Sequence, residues 1–252
     1  MGVSSDVNLR AFWGGRVEPI QAQAEMVWGC WQRLAVRGGF LVAPWSSMNV
    51  RPLREAPLPS KDALLTDMAQ SCADKGPYYS FWQDTETLSD EAHPHVHLST
   101  DLALPKIYPG GIGNDAILTV EASKDDPDDL ALAWLLGMRT DLVRDFVDVW
   151  RPDVVEINST PLLDRFPMRP GWPPVGYVTW LAPWVVEARR LPRAPIREEY
   201  RGGTLIGIAP DSKDPLGDAT KLASKIYRSG ALKPLPIVQP QSGNTGCDQV
   251  ND

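Results

Sequence analysis

Val7-Asn8-Leu9-Arg10-Ala11-Phe12-Trp13-Gly14-Gly15 is the stretch on which the fold turns. Its apolar run closed by a double glycine reads as a strand followed by a turn. The pattern then changes period. Pro19 suits a first helical turn. Ile20, Ala24, Val27, Trp31 and Leu34 recur at helical spacing up to about Val36, with Gln21, Gln23, Glu25, Gln32 and Arg33 mostly on other faces. Gly38-Gly39 stops the helix. A strand followed directly by a helix would open a doubly wound sheet if the alternation continued.

It does not continue. Phe40 to Trp45 suggests a strand, Arg51 to Pro59 a proline-rich loop, and Lys61 to Asp74 a second helix with Ser60 as N-cap and Gly76-Pro77 at its end. Three strand-like segments follow, Tyr78 to Gln83, Val96 to Thr100 and Ala116 to Glu121, with a glycine-rich turn from Gly110 to Asn114. Asp126-Pro127-Asp128-Asp129 has the chemistry of a helix start: a capping side chain, proline at the first position, and acids at the positive end of the dipole. Leu130 to Leu136 is apolar on all sides, Gly137 suggests a break, and Thr140 caps a further helical stretch to Trp150. There Val143, Phe146, Val147 and Trp150 form one face, with Asp141, Asp145 and Asp148 opposite as a solvated face. Val154 to Asn158 reads as a strand, Pro161 to Pro174 as a connection, Val175 to Leu181 as a strand, and Glu199 to Ala209 as a strand or hairpin. Asp214-Pro215 opens a last helix to Ser229, closed by Gly230. Strands and helices mix without a repeat, which predicts an α+β fold: a mixed, mainly antiparallel sheet packed with several helices. Residues 1–238 are expected to form one composite domain, with a subdivision near 123 as the alternative, and residues 239–252 a disordered polar tail.

Composition agrees with a globular chain. Of 252 residues, 43% are hydrophobic and 23% charged, which excludes the low-hydrophobicity disordered class. The longest apolar run, Leu130 to Leu136, is far short of the roughly 18 residues a membrane helix needs. Lys and Arg number 25 against 32 Asp and Glu, giving a formal charge of −7, which argues against a nucleic-acid partner. Met1 to Arg10 has no apolar signal-peptide core. Cys30, Cys72 and Cys247 match neither a disulfide framework nor a zinc motif. Cys30 and Cys72 read as packing thiols in a reducing, cytoplasmic setting.

Few residues suggest catalysis. All three histidines fall in His93-Pro94-His95-Val96-His97. On an extended strand positions 93, 95 and 97 face one way and could share a metal ion, with Glu91 or Asp101 beside them. Against that, Pro94 favours an exposed edge strand or loop with no ligand role. There is no nucleophile elbow, Walker sequence or complete dinucleotide fingerprint. Between Asp125 and Glu156 acids outnumber bases. Asp125, Asp126, Asp128 and Asp129 are accounted for by helix capping, and Asp141, Asp145 and Asp148 by a solvated helix face. Together they would also suit a basic cleft on a partner. Ten tryptophans are present. Trp28, Trp31 and Trp150 read as core by periodicity, whereas Trp172 in Pro170-Gly171-Trp172-Pro173-Pro174 reads as a surface anchor.

Leu9-Arg10-Ala11-Phe12-Trp13-Gly14 with Pro19 and the helix through Trp31 resembles the opening of the immunity protein 52 family. Val175-Gly176-Tyr177-Val178-Thr179-Trp180-Leu181, Gly202-Gly203-Thr204-Leu205-Ile206 and Leu232-Lys233-Pro234-Leu235 are similar to later segments of that family, in the same order. The pieces cover roughly a third of the chain. Phe12 and Tyr177 stand where Tyr and Trp are more usual, and the region from Phe40 to Pro170 has no counterpart. The resemblance implies a bacterial polymorphic-toxin or type VI secretion immunity protein. Such a protein is cytoplasmic, uses no catalysis and no cofactor, and binds a cognate nuclease toxin of restriction-endonuclease fold. The acidic stretch falls in the region without a counterpart, so the resemblance carries over no toxin-facing surface; charge and loop context make Asp125, Asp126, Asp128, Asp129, Asp141, Asp145, Asp148 and Trp172 the candidate toxin-binding residues. The alternative from another class is a metal-dependent hydrolase built on His93, His95 and His97.

Overall fold

The computed structural model describes residues 7–14, 18–38, 41, 44–47, 58–76, 78–83, 95–102, 114–121, 130–166 and 171–235. Nine strands form one sheet: β1 (Val7–Trp13), β2 (Trp45–Ser47), β3 (Tyr78–Gln83), β4 (His95–Asp101), β5 (Asn114–Glu121), β6 (Val154–Ser159), β7 (Val178–Leu181), β8 (Ile196–Tyr200) and β9 (Gly203–Gly207). Their spatial order is β2-β3-β4-β5-β1-β6-β7-β9-β8. Every pairing is antiparallel. The helices are α1 (Ile20–Arg37), α2 (Lys61–Lys75), α3 (Leu130–Trp150), α4 (Thr160–Arg165) and α5 (Pro215–Ser229). The α+β expectation holds. β1 sits at the centre because it pairs with β5 on one side and β6 on the other, so one sheet joins chain from both sides of residue 123.

Alternation along the strands divides the sheet into two faces. Leu9, Leu118, Leu98 and Phe81 are aligned across β1, β5, β4 and β3, and Ile157 continues the row on β6. All are fully buried. α1 and α3 cover this face. Trp31 of α1 meets Phe81 edge-on at 5.1 Å and stacks on Trp45 at 5.4 Å, while Trp150 of α3 stacks on Trp13 at 5.7 Å. Much of the tryptophan surplus is therefore core. Trp28 is only partly buried, against its expected core position, and packs on Trp31.

Local signals explain the helix ends. Ser60 Oγ accepts from the Ala63 amide, Asp214 caps α5 by accepting from Gly217, and Gly230 closes α5 in the left-handed conformation. Two expectations are corrected. α3 runs unbroken through Gly137, since the roughly 1 kcal/mol penalty of one glycine is small beside the burial of Leu135, Leu136, Leu142 and Val143 on either side. The Pro161 to Pro174 connection contains α4, where Pro161 occupies the first turn that proline tolerates and Leu162 is buried.

Candidate functional site

The acids expected on a solvated helix face lie instead in an internal charge lattice. Asp145 is only 5% exposed. It accepts from Arg33 Nη1 at 3.2 Å and Arg37 Nε at 2.7 Å, both on α1. Asp148 faces Arg33 at 3.3 Å, Arg201 Nε at 2.8 Å and the Tyr200 hydroxyl at 3.0 Å. These partners hold its carboxyl below the usual range against the opposing effect of burial. Asp141 pairs with Arg37 and Arg144, and Arg144 goes on to Glu198 of β8. The solvated-face reading is thus corrected for Asp145 and Asp148. α1 crosses this face of α3 and the β8–β9 hairpin lies against it, so the acids neutralise cations of their own chain. Asp141, with about half its side chain exposed, is the member open to solvent.

Trp172 is 38% exposed, as its loop context predicts. Asp125, Asp126, Asp128 and Asp129 lie outside the described residues, as do His93 and residues 239–252. His95 and His97 belong to β4. His97 is half-buried, its Nε2 lies 2.5 Å from Ser80 Oγ, and burial lowers its pKa. Among the described residues no group of three His, Cys, Asp or Glu side chains could hold a metal ion. Burial drives the Cys30 thiol far up, which leaves it inert as a nucleophile. Cys72 is disulfide-bonded, which corrects its reading as a free packing thiol and removes the cysteine argument for a reducing compartment.

The sheet face turned away from α1 and α3 carries an unusual polar row. Register places Asn8, Thr119, His97 and Trp82 in one line, with Asn158 on the other side of Asn8. The next line contains Arg10 directly opposite Glu156. Glu156 is fully buried. Asn158 donates to its Oε2 at 2.9 Å, while its Oε1 has no hydrogen-bond partner among the described residues. Burial pushes its pKa up to about 7, with Arg10 and Asn158 opposing. Asp115, cross-strand from Asp101, is likewise pushed up to about 7, by burial first and the Asp101 charge second. Arg10 is the one charge that the opening strand pattern carries, so this row was readable only as a lone arginine in an apolar run.

A cleft of about 330 Å³ opens where the end of α3 meets β7 and the β8–β9 turn. Asp148, Arg151, Trp180, Trp184 and Arg201 line it. The Trp180 indole donates to the Tyr200 carbonyl at 2.8 Å, which fixes the hairpin to β7. Trp184, 56% exposed, is held by its own indole donating to Asp153 Oδ1 at 2.8 Å. Asp153 Oδ2 accepts from the Gly14 amide at 2.9 Å, tying the end of β1 to the same corner. Of these residues sequence reasoning singled out only Asp148 and Trp180. The signals available for the rest were Arg-Pro after a helix and Arg-Gly between two strands.

Three of the segments that carry the family resemblance lie on or next to neighbouring strands, β1, β7 and β9, with β6 between the first two. Trp13 stacks under α3 through Trp150, the residue before Arg151. Gly176 is required because a Cβ there would strike the Ile157 carbonyl, and Gly203 because a Cβ would strike the Trp180 ring. Among the described residues no helix is long and apolar enough to cross a membrane. No family model matches the chain, and no curated protein matches it. Among solved structures the chain is similar to a T6SS protein of Pseudomonas aeruginosa at 13% identity and a TM-score of 0.43, over 96% of this chain and 80% of that one.

Proposed function

We propose that the protein is an immunity protein, a stoichiometric inhibitor that binds and neutralises a cognate bacterial nuclease toxin without chemistry of its own. The observation that carries this reading is the spatial coherence of the resembling segments. Trp13, Gly176, Trp180 and Gly203 are far apart in sequence, yet they sit on or beside the adjoining strands β1, β6, β7 and β9, each in a contact that its residue type makes necessary. Exposed Trp172 and Trp184 add anchors of the type enriched at interface hot spots. The acidic balance of the chain favours encounter with a basic nuclease surface. Asp145 and Asp148 are already neutralised from within, so among the described candidate acids Asp141, about half exposed, is the one left for such a surface.

Co-expression tests the reading. A nuclease encoded immediately upstream should kill the host alone, be tolerated with this protein, and co-purify with it. If the protein neither rescues the cells nor co-purifies, the proposal is wrong.

A further inference from the structure

Among the described residues only two that are not glycine have positive φ: Arg151 at 45° and Arg201 at 50°. Both line the cleft at the end of α3. Each stands where the backbone asks for a different residue. Arg151 follows the last residue of α3, and its amide still donates to Val147 O at 3.0 Å. This is the left-handed position that glycine usually takes after a helix. Arg201 and Gly202, both with positive φ, are the two residues between β8 and β9. That is the type I′ pattern, which prefers Asn-Gly. Two long L side chains on strained backbone, facing one cleft, mark a place where side-chain chemistry outweighs local conformational preference.

The electrostatics say which chemistry. Among the described residues Asp148 is the one acid lining the cleft, and Arg33, Arg201 and Tyr200 satisfy it. Arg201 is steadied over the Tyr200 ring at 5.9 Å, uses Nε for Asp148 and also hydrogen-bonds with Tyr200, and its five-donor guanidinium, two-thirds exposed, has N–H groups beyond these. Arg151 is exposed and has no ion pair or side-chain hydrogen bond among the described residues. A cation after a helix C-terminus does oppose the helix dipole. An arginine one turn earlier would do so without strain, and the dipole gives no reason for Arg201. The cleft is therefore a cationic spot with indole walls on a chain of charge −7. That total charge repels a polyanionic backbone and tolerates a single carboxylate. About 330 Å³ admits one or two side chains, and Trp with Arg is the pairing enriched at protein hot spots.

We infer that this cleft is an acceptor site for an acidic side chain, Asp or Glu with an apolar neighbour, presented by a protein partner. Two arginine forks can grip such a carboxylate while Trp184 covers the adjacent apolar group. The inference concerns any protein partner and stands separately from the nuclease reading.

The test uses the full chain and capped tetrapeptides: acetyl-Leu-Glu-Glu-Leu-amide, its Gln and Lys counterparts, and inorganic phosphate. The readout is the Trp184 indole N–H resonance, assigned with Trp184→Phe. The Glu peptide should shift it saturably, the Gln and Lys peptides should not, and Arg151→Gly and Arg201→Asn should each weaken binding at least fivefold. Arg151→Gly should leave Tm unchanged or higher. No shift with the Glu peptide, equal shifts with the Gln or Lys peptide, or wild-type affinity in Arg151→Gly would overturn the inference. Phosphate binding as tightly as the Glu peptide would replace it with a general anion site. A lower Tm for Arg151→Gly would show that the arginine serves stability instead.

Discussion

Replacing Glu156 by Gln should stabilise the protein at pH 8 and leave it almost unchanged at pH 4.5. Glu156 is buried on β6, and burial pushes its pKa from 4.5 to about 7. Between those values the folded state holds a proton that the unfolded chain releases. Stability therefore falls as pH rises from the unfolded pKa, and the full cost is reached above the folded one. At about 1.4 kcal/mol per decade, ionising this carboxyl in place costs about 3 kcal/mol. Gln cannot ionise, and its side-chain oxygen can still accept from Asn158. Urea unfolding of both proteins at several pH values isolates the effect, because every other carboxyl titrates in both. The variant should gain about 3 kcal/mol at pH 8 and close to nothing at pH 4.5, with the difference growing between. In heat denaturation this corresponds to roughly 2–4 °C per kcal/mol for a chain of this size. A difference that is flat with pH, or a variant less stable at pH 8, would mean that Arg10 fully compensates the buried charge and would refute the reasoning.

Two further outcomes are expected. Asp145→Ala strips two guanidiniums of a buried acceptor and should cost about 2 kcal/mol in urea unfolding, less than a fully buried pair because Arg33 and Arg37 keep some solvent; a loss under 0.5 kcal/mol would contradict the lattice. Gly203→Ala drives a methyl into the Trp180 ring and the Leu181 carbonyl, and should cost about 3 kcal/mol, measured by unfolding and by loss of native near-ultraviolet dichroism.

The Asp145 result bears on how an interface is sought. Reversing Asp141, Asp145 and Asp148 together to Lys would place cations against Arg33, Arg37 and Arg201. The outcome would measure folding rather than partner binding. Asp141→Asn is the usable surface probe, since half its side chain is in water and the change sets no new cation against Arg37 or Arg144.

Local patterns in the chain place most of the elements and give their class. Tyr78–Gln83 and the span of α5 were readable in full, and β1, α1 and α2 to within a residue, because hydrophobic period, caps and glycines act within a few residues of each other. α4 was hidden by Pro161 and the prolines of the connection that follows it. The continuity of α3 through Gly137 was hidden because packing decided it. Of the candidate site, sequence identified Trp172 as exposed and named the acids. Only the tertiary structure decided that Asp145 and Asp148 serve α1 and the β8–β9 hairpin. Their partners are at least 52 residues away, and a charge face has the same period whether water or arginine lies opposite. The same holds for Arg151 and Arg201. Separately they are an arginine before proline and an arginine before glycine. The antiparallel order β6-β7-β9-β8 sets them on one cleft and gives them a common chemistry.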